Sequence, residues 1–157
     1  MRWMGSWQNV PGTSLGLLIS DVAGYLLDTN VLSELLKKKP EPAVVRALNV
    51  VPAEDLFTSS ICVMELRRGA HRHSSAERLW GRIERELLAR VHILAFGERE
   101  AVLAGDIGAE LADQGLPVGT EDALIAATAM AHGLIVATRN TGHFSRINTL
   151  RVINWWP

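Results

Sequence analysis

Short apolar runs that alternate with helical patterns place this chain in the α/β class, with a mainly parallel central sheet. Three observations predict it. Tyr25-Leu26-Leu27 is an apolar run that ends on a carboxylate, Asp28, directly ahead of a helical pattern. Leu134-Ile135-Val136-Ala137 is a stronger run of the same kind, and it leads into Thr138-Arg139-Asn140-Thr141-Gly142-His143-Phe144. Between these two, strand-like and helix-like stretches keep alternating. Open α/β sheets build their sites at the carboxyl ends of strands, so Asp28 and the polar stretch after Ala137 stand where chemistry would be placed.

Composition narrows the classes. At 157 residues, 48% of them hydrophobic, the chain suits one domain with a proper core. A formal net charge of −1 argues against attachment to nucleic acid by bulk charge, so any such contact must come from local patches. The single cysteine, Cys62, excludes an internal disulfide and a cysteine-rich zinc site. It fits a reducing compartment, and a cytoplasmic location is expected. No apolar run approaches the roughly 18 residues of a membrane span. Residues 1 to 24, punctuated by Trp3, Trp7, Pro11, Gly12, Gly16 and Gly24, show no sustained period. They are expected to form a dispensable extension ahead of a domain at 25–157. A secretory signal fits them poorly, because the apolar segment Leu15 to Ile19 is short, is interrupted by Gly16 and follows only Arg2.

Each element has its own justification. Thr29 or Asn30 would cap a first helix bearing Val31, Leu32, Leu35 and Leu36, unless Asp28 is itself a plain N-cap. Lys37-Lys38-Lys39-Pro40 supplies cations for its last turn and a proline stop. Pro42 suits the first turn of a second helix, to about Asn49. Pro52 to Asp55 read as a turn, Leu56-Phe57-Thr58 as a strand, and Ser59 or Ser60 as the cap of a third helix. Ser74 to Arg90 form one amphipathic helix with Leu79, Ile83 and Leu87 buried. Val91 to Phe96 make a third strand. Glu98 to Gln114 make a helix closed by Gly115, and Thr120 caps another that Gly133 ends. Arg151 to Asn154 are the last strand.

Two of these helices carry acids in informative positions. Glu65 interrupts an apolar face of Ile61, Cys62, Leu66 and Gly69, which is costly unless the carboxylate is paired or binds a cation. Arg67 and Arg68 point elsewhere on the wheel, so no local partner is evident. A carboxylate at the rim of the face, charged in water, is the plainer reading. Glu121 and Asp122 occupy the first turn of an otherwise apolar helix, where the dipole alone explains acids; periodicity leaves open which one faces inward. Asp28, Asn140, Glu65 and Asp122 together form a cluster of oxygen ligands without histidine or cysteine. Like charges about 4 Å apart repel by about 4 kcal/mol at an effective dielectric of 20, so such a cluster calls for a cation, and oxygen donors favour Mg²⁺ or Mn²⁺ over zinc. His71 and His73, two residues apart, do not share a helix face and make a poor zinc pair.

In YLLDTNVLSE at 25–34, SSICVMELRRG at 59–69, EDALIAATA at 121–129 and ATRNTGHF at 137–144, the chain resembles the PIN-domain family. Within that family it is similar to the VapC-type, FitB-like toxins of type II toxin–antitoxin systems. The motifs occur in the family's order from Tyr25 to about Pro157. The resemblance implies a three-layer α/β/α fold and an endoribonuclease dependent on Mg²⁺ or Mn²⁺. It carries catalytic and ligand roles onto Asp28, Glu65 and Asp122. Asn140 falls where many members have Asp, Thr138 matches a hydroxyl two residues earlier, and His143 stands where a second acid is frequent. Thr29, Asn30, Glu121 and Arg139 would support the site or position substrate. The implied partners are RNA, a VapB-type antitoxin and a second copy in a homodimer, with operator DNA reached only through the antitoxin and no membrane contact. Arg67, Arg68, Arg139 or Arg146 would position the RNA backbone, unless each is an ordinary surface arginine.

Three rival classes share part of this pattern. A haloacid-dehalogenase-type phosphatase needs a second Asp two residues after the first, and that position is Asn30. A phosphate-receiver domain needs a late lysine, and none follows Lys39. A catalytically weakened PIN-like module that binds RNA or a partner is kept open by Asn140 and His143.

Overall fold

The structure is a computed structural model that describes residues 23–157; the expectation for residues 1 to 22 lies outside them. Five strands form one sheet: β1 (Tyr25–Leu27), β2 (Leu56–Ser59), β3 (His92–Leu94), β4 (Ile135–Ala137) and β5 (Val152–Ile153). Their order is β3-β2-β1-β4-β5, and every neighbouring pair is parallel. Seven α-helices lie among the described residues: α1 (Thr29–Leu35), α2 (Pro42–Val50), α3 (Ser60–His71), α4 (Ala76–Glu86), α5 (Glu98–Asp113), α6 (Thr120–Ala131) and α7 (Thr141–Phe144).

Burial shows three layers. Successive strand residues face opposite sides of a sheet, yet Leu26 and Leu27 are both buried, as are Val136 and Ala137. Helices therefore cover both faces of the central strands, as all-parallel sheets require. Each fully buried leucine contributes about 1.5–3 kcal/mol, and the core continues through Val31, Leu32, Val44, Ile83, Ile125 and Phe144.

The strand order decides where a site can lie. From β1 the chain steps outward to β2 and β3, then returns across the sheet to β4 on the other side of β1 and on to β5. The order reverses between β1 and β4, which opens a crevice at their carboxyl ends. Leu27 is in register with Ala137, so Asp28 and Thr138 leave the sheet side by side there. Gly24 sets this register from the other end. Its φ is +134°, its carbonyl accepts from Ile135 N, and a Cβ would lie 2.7 Å from the Asp55 carbonyl oxygen.

Several boundaries differ from expectation. Asp28, rather than Thr29 or Asn30, is the N-cap of α1, its carboxylate accepting from Thr29 N. Gly119, rather than Thr120, caps α6, without a side-chain bond. The expected 74–90 helix breaks at Leu87, and Leu88–Arg90 form a separate 3₁₀ turn. That break lets Val91 and β3 turn back into the sheet. Lys37 to Lys39 lie beyond α1, not in its last turn. Ser59 and Gly133 act as expected: Ser59 Oγ accepts from Cys62 N, and Gly133 (φ +66°) closes α6 with Leu134 N donating to Ala129 O.

Glu34 shows what stabilises the α1–α2 turn. Its carboxylate is 5% exposed, accepts from Lys37 Nζ at 2.6 Å and from Glu41 N at 2.9 Å, and so closes the turn. The Lys37 bond, against the opposing effect of burial, holds its carboxyl below the ordinary 4.5. A lowered folded pKa gives stability that is present above the unfolded value and lost as pH falls through the folded one. Glu34→Ala should therefore cost about 1–3 kcal/mol at neutral pH, because the Glu41 N–H is left unpaired. The gap between mutant and unaltered protein should shrink between about pH 5 and pH 3, as thermal unfolding across that range will show.

Candidate metal-binding active site

At the switch point, four backbone segments converge. Asp28 ends β1, and its side chain is 5% exposed. Oδ1 accepts from Thr29 N at 2.7 Å, while Oδ2 accepts from Thr138 Oγ1 at 2.7 Å and Asn30 Nδ2 at 2.9 Å. Thr138, fully buried at the end of β4, also accepts from Asn30 Nδ2 and from Asn140 N. Asn30 Oδ1 takes the Arg139 N–H at 3.0 Å. Thr138 and Asn30 thus tie the two strand ends together and fix the rotamer of Asp28. Their polar atoms are spent on that task, so they position a ligand rather than act as one.

Glu65 reaches the same crevice from the middle of α3. It accepts from Thr29 Oγ1 at 2.5 Å, and Arg68 Nη2 lies 4.0 Å from its other oxygen. The local partners missing from the helical wheel therefore exist, one supplied across the site and one at i+3. Asp28, Glu65 and the Cys62 sulfur each offer a ligating atom within 4.8 Å of the others. Cys62 corrects the expectation of a purely oxygen-lined cluster. Its thiol is fully buried, and burial followed by the Asp28 charge pushes its pKa up, so it stays protonated and contributes a neutral wall.

Asp122 stands in the first turn of α6 with its side chain 22% exposed, and His143 Nδ1 lies 2.8 Å from its Oδ2. The same ring nitrogen lies 2.8 Å from Asn140 Nδ2. One nitrogen cannot donate and accept at once, and the charged acceptor favours Nδ1–H pointing at Asp122. His143 therefore stands between Asn140 and Asp122, at the corner where many members of the family carry a further acid. Glu121 turns outward, its carboxyl held below the ordinary range first by its own backbone N–H and then by Arg68.

The electrostatics are those of a cation trap. Burial raises the pKa of Asp28 most, the Thr138 and Thr29 bonds oppose it, and the charges of Glu65 and Asp122 raise it further. Asp122 lies outside the Asp28–Cys62–Glu65 group, but its charge, like that of Glu65, acts on the buried Asp28; hard oxygen donors beside a neutral thiol fit an oxygen-seeking divalent cation. Of the arginines named as RNA contacts, Arg67 is held by Glu77 at 2.8 Å and lies over the Trp80 ring, and Arg139 lies over Trp156.

Comparison with known proteins agrees with this geometry. The family profile described as PIN domain matches residues 25–150. The chain belongs to the PIN-domain family. Within it, the chain is similar to the tRNA(fMet)-specific endonuclease VapC of Shigella flexneri, 38% identical over 131 residues, which cover 83% of this chain and 97% of the relative. Toxin FitB of Neisseria gonorrhoeae is 38% identical over 136 residues, with the same coverage. The crystal structure of DNA-bound VapBC from Salmonella typhimurium matches this PIN domain with a TM-score of 0.78 at 34% identity, covering 85% of this chain and 99% of that one. No helix among the described residues is long and apolar enough to cross a membrane.

Proposed function

We propose that this PIN domain is the endoribonuclease toxin of a VapBC-type toxin–antitoxin pair and that it works with Mg²⁺ or Mn²⁺. The observation that carries the reading is the approach of Glu65 to the buried Asp28, with the charge of Asp122 also felt there, at the switch point of a PIN-type sheet in a chain whose relatives are named ribonucleases and toxins. Asp28, Glu65 and Asp122 would hold the cation, with Asn140 beside them. When bound, it supplies a water of lowered pKa and charge neutralisation at the scissile phosphate.

The chain's own side chains prepare that chemistry. Thr138, Asn30 and the Thr29 N–H aim Asp28, and the Thr138 and Thr29 bonds oppose the rise in its pKa that burial causes. The Thr29 hydroxyl fixes one oxygen of Glu65, which leaves the other to face the cleft. His143 orients Asp122, as partners behind metal-binding carboxylates do.

A VapB-type antitoxin and a second copy of this chain are the proposed protein partners. The solved relatives include toxin–antitoxin complexes with DNA, so operator DNA would be reached through the antitoxin. A basic side chain from the antitoxin would suit the three acids, since it replaces the cation. Expression of the protein alone should arrest growth, and Asp28→Asn should relieve the arrest; equal toxicity of the two would sink the catalytic reading.

The carboxylate-poor corner leads to a prediction about ion number. Asn140 brings no charge, and its amide stands 2.8 Å from the His143 ring nitrogen that faces Asp122. The free protein should bind one Mn²⁺ well and a second only weakly, with RNA phosphate completing the second site. Asn140→Asp should tighten the second ion without necessarily raising turnover, because the added charge also repels phosphate. Calorimetric titration with Mn²⁺ checks this, and two equally tight ions in the unaltered protein would place Asn140 outside the metal shell.

A further inference from the structure

Arg68 stands apart from the other basic groups near the cleft. It follows Glu65 by three residues on α3, so both side chains lie on one face of the helix. Its guanidinium is half exposed and spans the gap to α6, with Nη1 3.3 Å and Nη2 3.4 Å from the same oxygen of Glu121. Nη2 also lies 4.0 Å from Glu65. This is a poor use of an arginine fork. Two N–H groups share one oxygen at long distance, where a carboxylate or phosphate matched to the fork would offer two. Exposed pairs of this kind contribute little to stability and are readily exchanged. One turn further, at the C-cap of α3, stands Arg72, exposed and without an ion pair among the described residues. Met64, Arg67, Arg68, His71 and Arg72 line one shallow depression running away from Glu65.

We propose that Arg68 is the substrate-positioning arginine of this site: it exchanges Glu121 for an RNA phosphate next to the scissile one, and Arg72 receives a phosphate further along, so the strand leaves the cleft along α3. This rests on the ribonuclease reading above. The exchange is chemically directed. An arriving phosphate supplies the two oxygens that Glu121 presents poorly, and a cation at Glu65 would leave that carboxylate less available to Arg68. Glu121 is then a latch that holds the fork at the cleft in the absence of RNA. Arg67 is placed differently: its Nη1 is buried and its guanidinium lies over the Trp80 ring, so its fork is not presented to the cleft.

The competing account is structural: cations near the end of α3 favour its dipole, and Arg68 ties α3 to α6. Steady-state cleavage of a fluorescein-labelled single-stranded RNA dodecamer in Mn²⁺, at several salt concentrations, separates the two, with thermal unfolding alongside. Cleavage by the unaltered protein is the control that reports on the ribonuclease reading alone. Given that cleavage, Arg68→Ala should raise KM about tenfold with a smaller change in kcat, and should flatten the dependence of log(kcat/KM) on log[salt] by about 0.7. Arg72→Ala should do the same more weakly. Arg68→Lys should recover part of the KM, and Glu121→Gln should lower KM, because the latch is loosened. Arg68→Ala with a lowered melting temperature but unchanged KM and salt slope would overturn the proposal, as would a Glu121→Gln variant that binds RNA more weakly.

Discussion

Asp28→Asn is expected to lower RNA cleavage at least about a hundredfold, the scale on which loss of one preorganised electrostatic partner is felt. The exchange is nearly isosteric and removes a charge at the centre of the acid cluster. Its effect on the fold runs the other way. Burial holds the Asp28 pKa above 3.8 in the folded protein, so the native state binds this proton more tightly than the unfolded chain. Stability from that source is present at low pH and lost as pH rises through the folded pKa. At neutral pH the ionised carboxylate is therefore a net cost, which asparagine removes. The exchange denies Asn30 Nδ2 one of its two acceptors, which offsets part of the gain. The metal-free variant should melt at the same temperature as the unaltered protein or slightly above it. Mn²⁺ at about a hundred times its Kd should stabilise the unaltered protein by about 2.7 kcal/mol and leave the variant nearly unmoved. A variant that loses activity and also unfolds early would show that Asp28 acts through the fold.

The largest loss of stability is expected from Phe144→Ala. Phe144 closes α7 and is fully buried. Truncating a buried aromatic side chain costs about 3–5 kcal/mol, through lost transfer free energy and the cavity left behind. The damage should reach the site, because the preceding residue, His143, orients Asp122 and contacts Asn140. Mn²⁺ affinity should therefore fall together with the melting temperature. Val102→Ala, at an exposed position on α5, should change stability by no more than about 0.5 kcal/mol and leave Mn²⁺ binding alone. Denaturant unfolding and Mn²⁺ titration of the two variants make the comparison. Equal stabilities would mean that α7 is not anchored by this ring.

These expectations rest partly on what the sequence makes legible. Asp28 and Thr138 were placed at strand ends by the apolar runs before them, and the parallel β1–β4 register brings them together. Glu65 stood out as a carboxylate within an apolar face, and its Thr29 partner completes that reading. Cys62 was read only as a core residue, because periodicity reports burial and not what lies on the other side of the buried atom. Its approach to Asp28 and Glu65 depends on how α3 is rotated against β1. The Arg68–Glu121 contact spans 53 residues, and no local pattern encodes it. Glu34 was invisible for a different reason. A glutamate at the end of an amphipathic helix reads as solvated, and only the return of the chain at Glu41 shows that it is a buried acceptor. The short helix α7 carries too few residues for a period to show. The N-caps of α1 and α6 fall one residue earlier than expected, on Asp28 and Gly119, since several adjacent residues are equally good caps.

If Asp28, Glu65 and Asp122 hold a divalent cation at the β1–β4 crevice and that ion makes this domain a ribonuclease, cleavage must depend on it. The most direct measurement is cleavage of a labelled RNA by purified protein stripped of metal with EDTA, before and after Mn²⁺ is restored, with Asp28→Asn alongside. The account predicts no cleavage in EDTA, recovery on addition of Mn²⁺ or Mg²⁺ but not of EDTA-chelated metal, and no recovery by the variant. Cleavage that persists undiminished in EDTA, or is equal in Asp28→Asn, would contradict it.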